Sequence, residues 1–219
     1  MIVGIVVSAF VSLYIGTEYS DGTIRNKLII GHMRSCIYLS NLFTCIVAAF
    51  FMIMAYMIPA GILGRGLLGK FDMGIKAALI QVLGSLVMVA AMCAIFTLLG
   101  MLIQNKAISA IAAVGGIFVF LFAAIYLFTA LSQPETYSGY ELDANGQVTE
   151  AEEEINPDYI FGTRRVIYET LVDVLPTGQS IQYSSSEVES PGRLALYSAV
   201  ITVVVTGLGV VAFQRKDLK

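Results

Sequence analysis

The sequence predicts an all-α polytopic membrane protein with five transmembrane helices. Apolar residues make up 57% of the 219-residue chain and charged residues only 13%, and the mean hydropathy is +0.80. A water-soluble domain of this length needs a charged exterior, whereas long stretches of this chain carry no charge. We therefore expect lipid to be the solvent around these stretches.

Uninterrupted apolar runs mark the expected spans, because a bilayer core needs roughly 20 helical residues. The runs are residues 1–16, 37–63, 75–103, 107–131 and 194–213. A secretory signal peptide is the alternative for the first and shortest run. No basic region precedes that run and no small-residue cleavage site follows it, which favours a span.

Basic residues in the short connections predict the orientation of the chain. Those expected in the cytoplasm are Arg25, Lys27, Arg34, Lys106, Arg215, Lys216 and Lys219. Alternation of the spans then places residues 64–74 and 132–193 outside, although the shorter of these segments contains Arg65 and Lys70. We expect a single transmembrane domain over 1–219, with a cytoplasmic loop at 17–36 and an extracytoplasmic insertion at 132–193.

The insertion is strongly acidic. It holds twelve acidic and three basic residues, a net charge of −9, whereas the rest of the chain carries +6. Either the segment is simply solvated, or its charge attracts cationic substrates.

Composition divides the insertion into two parts. Residues 132–156 are rich in Gly, Ser and Glu and predict irregular structure. Residues 158–175 have apolar side chains at near-helical spacing, which predicts a short amphipathic helix lying on the outer membrane surface or dipping into it. Pro176 and Gly178 are expected to end that helix.

Several chemistries are disfavoured by the residues of the spans. Their interiors contain no ionisable side chain of the kind that ion-coupled transport requires. No H-E-x-x-H pair exists, and His32 stands alone in the first cytoplasmic loop. The three cysteines predict helix packing and no disulfide framework.

One stretch resembles a phosphate-binding loop in spacing but lacks the residues and surroundings that such a loop needs. Residues 64–70 match the spacing G-x-x-x-x-G-K of a phosphate-binding loop, but Phe71 replaces the Ser or Thr that binds magnesium. The expected location is also outside the cell. We interpret the match as chance, with the glycines allowing a tight turn between two spans.

The first cytoplasmic loop is the most informative stretch. Ser20 or Asp21 can cap a short helix that starts at about Thr23, and Gly31 can end it. Ile24 and Leu28 share one face of that helix. The pattern alone leaves two interpretations open, a lever tied between two spans and an interfacial loop.

A family resemblance rests mainly on this loop. The string EYSDGTIRNKLIIGHMR from Glu18 to Arg34, followed by IYLS from Ile37, closely resembles permeases of type 2 ATP-binding-cassette (ABC) exporters. The closing residues from Gly207 to Lys219 also look like the last helix and tail of that family, and Pro176-Thr-Gly-Gln179 looks like a segment of its outer loop.

The resemblance implies a transport subunit that is not itself an enzyme. It would form the substrate pathway of an exporter in the bacterial plasma membrane, beside a second permease that is identical or related. A separate ABC ATPase subunit would bind ATP and Mg, so no cofactor is expected in this chain, and no nucleic-acid partner. By the resemblance, residues in or beside the helix that docks on the ATPase are Glu18, Gly22, Thr23, Ile24, Arg25, Leu28 and Arg34.

The chain departs from the family in one respect. Permeases of this kind usually have six spans, with an amphipathic helix and a first span before the region where this sequence starts. If that first span is missing, we expect loose packing around residues 1–16.

Two other function classes compete with a permease. A membrane sensor or assembly partner could bind a ligand or peptide through the acidic insertion, but it should carry a cytoplasmic output element, and only short cytoplasmic segments occur. An intramembrane enzyme would need a buried polar cluster. Small-residue pairs at Gly84-Ser85, Gly115-Gly116 and Gly207 with Gly209 could pack helices between chains or within one.

Overall fold

The computed structural model describes residues 2–69, 74–137, 140–142, 148–150, 154–184, 188 and 190–216. Five long helices dominate it, and each is long and apolar enough to cross a membrane. They are α1 Ile2–Ser20, α3 Arg34–Leu68, α4 Ile75–Leu102, α5 Lys106–Leu131 and α8 Pro191–Arg215. A helix therefore lies at each of the five expected spans, as an all-α, multi-pass membrane protein requires.

Short elements connect these helices. A seven-residue helix, α2 Thr23–Ile29, links α1 to α3. Residues between α5 and α8 form two strand pairs and two further helices, namely β1 Thr136–Tyr137, β2 Tyr140–Leu142, β3 Val148–Glu150, β4 Glu154–Ile155, α6 Gly162–Val174 and α7 Pro176–Gln182.

The bundle is built around α4, which packs against α8, α1, α3 and α5. Its buried residues include Met92, Cys93 and Phe96, which lie within the hydrophobic core. Helix α1 buries Val7, Val11 and Ile15 completely, and this stripe recurs every four residues, as expected for one helix face. The packing on this face of α1 is tight, so the loose packing expected around residues 1–16 is not found there.

The boundary of α3 differs from the sequence expectation. The helix continues through Gly64 and Gly66 to Leu68, so a tight turn beginning at Gly64 was a wrong prediction. The chain leaves the helix at Gly69, whose φ of +89° favours glycine. The apparent phosphate-binding spacing therefore starts inside a helix, without the preceding strand and open loop that bind phosphate. Lys70 and Phe71 lie outside the described residues.

Two glycines make room for tyrosine side chains within the chain. A Cβ atom on Gly84 would lie 2.3 Å from the Tyr183 hydroxyl, and one on Gly209 would lie 2.0 Å from the Tyr38 hydroxyl. At Gly115, Gly116 and Gly207, no described atom outside the neighbouring turns of the same helix lies within 4 Å of the corresponding position. Gly84 and Gly209 thus serve packing inside one subunit.

The segment after α5 is more regular than predicted. Residues 132–156 were expected to be irregular, but β1 pairs with β4 and β2 with β3, both antiparallel. Asn156 closes the larger loop, since its side-chain Nδ2 donates to the carbonyl of Pro134 at 2.8 Å and its backbone N–H to that of Glu135 at 3.0 Å. This long-range pairing carries no local signature in so polar a segment.

Helix α6 lies inside the expected range and ends at Val174, just before Pro176 as predicted, but a second helix, α7, begins at Pro176. It occupies the first turn of α7, where its missing N–H removes no helical bond. Residues 176–180 of α7 are all buried. The Thr177 hydroxyl donates to the carbonyl of Phe120 at 2.8 Å, close to the midpoint of α5. Helix α7 is therefore re-entrant and lies within the thickness of the bundle.

Candidate functional site

Two ends of the bundle carry polar side-chain clusters, and the first is the basic end. It is formed by the end of α1 at Ser20, the starts of α3 and α5, and the ends of α4 and α8. Gly22 joins α1 to α2 with φ +70°, and its carbonyl accepts the N–H of Asn26 at 2.9 Å. The predicted cap at Ser20 or Asp21 was wrong, because Gly22 occupies the cap position and the Ser20 hydroxyl donates back to Thr17.

The far end of α2 is closed by Gly31. Its φ of +100° allows the Gly31 N–H to donate to Leu28 and the His32 N–H to donate to Lys27. This paired arrangement satisfies carbonyls at the helix end. The predicted role of Gly31 as the end of the helix is confirmed.

One face of α2 is fastened to the bundle. Ile24 is 1% exposed and belongs to the hydrophobic core, and Leu28 packs against that core. Lys27 Nζ donates to Glu18 Oε2 of α1 at 2.5 Å. These contacts hold the short helix in one position relative to α1, which a seven-residue helix could not achieve alone.

Arg34 connects the start of α3 to the end of α8. Its Nη1 donates to the carbonyls of Phe213 at 3.3 Å and Gln214 at 3.1 Å, and also to that of Lys216. The last carbonyls of a helix have no partner within the helix and carry partial negative charge. Arg34 thus caps α8 and ties it to the segment that follows α2.

Lys216 makes the corresponding connection from α8 to α4. Its Nζ donates to the carbonyl of Met101 at 2.9 Å and to that of Leu102, and it lies 5.7 Å from the centre of the Tyr19 ring. The Tyr19 hydroxyl also donates to Met101, at 2.8 Å. Burial lowers the pKa of Lys216 from its usual value, because the charged form is partly removed from water. Side chains therefore join α1, α3, α4 and α8 at this end.

The exposed surface at and just beyond the end of α2 contains residues that were not predicted to belong to a site. Ile29, Ile30 and Met33 are 77%, 76% and 71% exposed, and Arg25 and Asn26 are exposed beside them. We call Ile29, Ile30 and Met33 the apolar tip. The run of three consecutive apolar residues from Leu28 to Ile30 is a sequence signal for this tip. Consecutive residues point to different sides of a helix, and only one side of α2 is buried, so some of the three must be exposed.

The seven residues expected near the ATPase contact fall into two groups. Glu18, Ile24, Leu28 and Arg34 face the bundle and anchor α2. Gly22 forms the turn, Thr23 is partly exposed and Arg25 is exposed. Most of the seven residues therefore attach α2 to the bundle. The surface that a partner could reach lies on the opposite side of the loop.

A second polar cluster, which the sequence did not predict, holds α6 and α7 at the acidic end, the end that carries residues 132–184. Asp173 on α6 has a side chain only 8% exposed, and its two oxygens accept from Arg193 Nη2 at 2.8 Å and Gln182 Nε2 at 2.9 Å. Gln179, fully buried, donates to the Asp173 carbonyl at 2.6 Å and accepts from the Ser198 hydroxyl at 2.5 Å. The cluster fastens the re-entrant helices to α8.

A small cavity lies beneath the tip of this re-entrant segment. Its volume is about 10 Å³, close to the space that one water needs. The lining residues are Ile5, Met92, Ile117, Leu121, Thr177 and Ser180. The cavity is too small to conduct a substrate in this conformation.

Within the described part of the chain, no group of three or more His, Cys, Asp or Glu residues could hold a metal ion. Comparisons with protein-family models, with curated proteins and with solved structures find no match to this chain. Its function is therefore inferred from its own residues.

Proposed function

We propose that this chain is the membrane-spanning subunit of an ATP-driven ABC exporter in a bacterial plasma membrane. The observation that carries the proposal is the apolar tip on an anchored helix at the basic end. Three large apolar side chains at and just beyond the end of α2 are 71% to 77% exposed in the described part of the chain, although Ile24 of α2 is buried. A separate ATPase subunit would cover Ile29, Ile30 and Met33 from the cytoplasm.

The anchoring supports a mechanical role for α2. Force applied at the apolar tip reaches α1 through Ile24 and the Glu18–Lys27 pair. It reaches α8 through Arg34, and α4 through Lys216. Between their terminal turns the five spans carry no Asp, Glu, Lys, Arg or His, so energy from a partner's ATP hydrolysis is the driving force that fits best.

The transport pathway would form between two permeases, identical or related. The cavity beneath α7 has a volume of about 10 Å³, so this cavity is too narrow to serve as a pathway in the observed conformation. ATP and Mg would bind to the partner ATPase.

The test is co-purification of the tagged chain from its native membrane in mild detergent, with mass spectrometry of what remains bound. We expect a stoichiometric ATPase subunit with phosphate-binding and signature motifs. Replacing Ile29, Ile30 and Met33 together by Ser should lower the bound ATPase at least tenfold. Val166→Ser, which removes an exposed apolar residue at the acidic end, is the matched control and should leave it unchanged.

Failure to recover any ATPase from the unmodified chain in several mild detergents would refute the proposal and favour a sensor or assembly partner. Ile24 is unsuitable as a test position, because its burial means that a polar substitution would disturb folding.

A further inference from the structure

The buried part of α7 is unlike the rest of the core. Its buried residues are Pro176, Thr177, Gly178, Gln179 and Ser180, which are small or polar and include no large aliphatic side chain. Apolar packing acts at the two ends of the segment, since Val172 of α6 is buried and Tyr183 after α7 packs against Gly84. Between these ends, polar contacts hold α7 among the spans.

Those contacts reach two spans. Thr177 donates to Phe120 of α5, and Gln179 accepts from Ser198 of α8. Asp173, one helix earlier, pairs with Arg193 of α8. Of these, only the ion pair has a partner that reaches water, because the Arg193 side chain is 53% exposed.

Helices α6 and α7 behave as one body. A Cβ atom on Gly178 would lie 2.3 Å from the carbonyl oxygen of Val172, so the two helices are in backbone contact at their corner. Gln179 and Gln182 bind Asp173 across the same corner. At the start of α6, Gly162 has φ +59°, a conformation that glycine adopts readily. A displacement would move the two helices together.

The tip of this body covers the small cavity between α1, α4 and α5. Thr177 and Ser180 form one side of it, facing Ile5, Met92 and Ile117. If α7 moved outward, this space would open toward the acidic end of the bundle. In the observed position it is closed.

We propose that the α6–α7 hairpin is a displaceable plug at the acidic end, and that the Asp173–Arg193 ion pair is the latch that keeps it seated. Loss of the Asp173 charge leaves an arginine that turns into water at little cost. Loss of Arg193 leaves a carboxylate with only 8% of its side chain exposed and no opposite charge, which is far less favourable. This proposal rests on contacts within this chain and does not require an ATPase partner.

The test measures access to Ser180, which is 7% exposed, by labelling a Ser180→Cys variant in sealed vesicles. A membrane-impermeant maleimide is supplied on the side of the acidic end, and mass spectrometry identifies the labelled cysteine. With the latch intact we expect slow labelling. Asp173→Asn should increase the rate at least tenfold, and Arg193→Gln should increase it further.

The double variant Asp173→Asn with Arg193→Gln should label more slowly than Arg193→Gln alone, because it leaves no buried charge. Glu169→Gln is the matched control, since it removes an exposed ion pair with Arg165 on the same helix. It should label like the parent.

Two results would overturn the proposal. One is equal labelling in the Asp173, Arg193 and Glu169 variants. The other is simultaneous labelling of Cys45 and Cys93, which are completely buried in the core, because that would indicate unfolding of the bundle instead of release of the plug.

Discussion

The two ends of the bundle use polar contacts in different surroundings. At the basic end, Arg34 and Lys216 bind the last carbonyls of α8 and α4, and several of these contacts lie near the surface. At the acidic end, Asp173 and Gln179 bind groups inside the bundle. A hydrogen bond broken near water is replaced by water, whereas a broken buried bond leaves an unpaired group. The acidic end should therefore tolerate substitution less well.

The largest effect is expected at the corner of the re-entrant segment. Gly178→Ala places a methyl group against the Val172 carbonyl, which is backbone and cannot rotate away. We expect a loss of about 3 kcal/mol, at the upper end for overpacking. Thermal unfolding in detergent micelles measures it.

Gly207→Ala on α8 is the control, because its added methyl group meets no described atom within 4 Å beyond the neighbouring turns of its own helix. It should be neutral or stabilise the protein by about 0.5 to 1 kcal/mol, as for a helical glycine. Equal unfolding temperatures for the two variants would contradict the assignment of a tight corner at α6–α7.

A smaller effect is expected from Arg34→Gln at the basic end. The substitution removes the cap on the last carbonyls of α8, where water can partly replace it. We expect about 1 to 2 kcal/mol of local stability to be lost, as for a charged hydrogen bond. Hydrogen exchange of the last-turn amides of α8 should accelerate about tenfold, since 1.4 kcal/mol is a factor of ten.

Arg215→Gln provides the comparison for Arg34. The Arg215 side chain is exposed at the end of the same helix, and no hydrogen bond or ion pair joins it to the residues that the structure describes. Exchange in this variant should match the unmodified protein. Faster exchange in both variants would show that loss of positive charge, and not loss of the cap, loosens the helix end.

The smallest effect concerns the Glu18–Lys27 pair. Its side chains are 16% and 32% exposed, so we expect Glu18→Gln to cost about 0.2 to 1 kcal/mol. Salt at 1 M should remove most of the difference in unfolding temperature between variant and unmodified protein. The difference caused by Arg193→Gln should persist in salt, because Asp173 is buried. If salt reduced the effect of both substitutions equally, the Glu18–Lys27 and Asp173–Arg193 pairs would not differ in burial as we propose.

Structural features that depend on a property summed over many residues are the ones that the sequence predicts most accurately. Hydropathy over some 20 residues identifies each span, although α3 extends five residues beyond its predicted end. A glycine such as Gly66 weakens a helix by only about 1 kcal/mol and so does not end it. The roles of Gly22 and Gly31 at the ends of α2 depend on local geometry, and only Gly31 was correctly placed as a boundary residue.

The candidate sites were less predictable, because they depend on residues that meet across long sequence distances. The anchoring residues Ile24 and Leu28 could be chosen from their spacing, whereas the contact of Arg34 with α8 spans nearly the whole chain. Asp173 looked like one acidic residue among twelve. Nothing local distinguishes it from its solvated neighbours.

The amino-acid sequence by itself determined the class of the protein and its division into five spans, because the transfer of apolar residues into lipid is a local property of each segment. Only the tertiary structure decided that α7 lies inside the bundle, that Asp173 is paired there, and that Ile29 and Ile30 point away from it. Burial of a polar helix is favourable only when partners on other helices satisfy its groups, and those partners meet only in the folded chain.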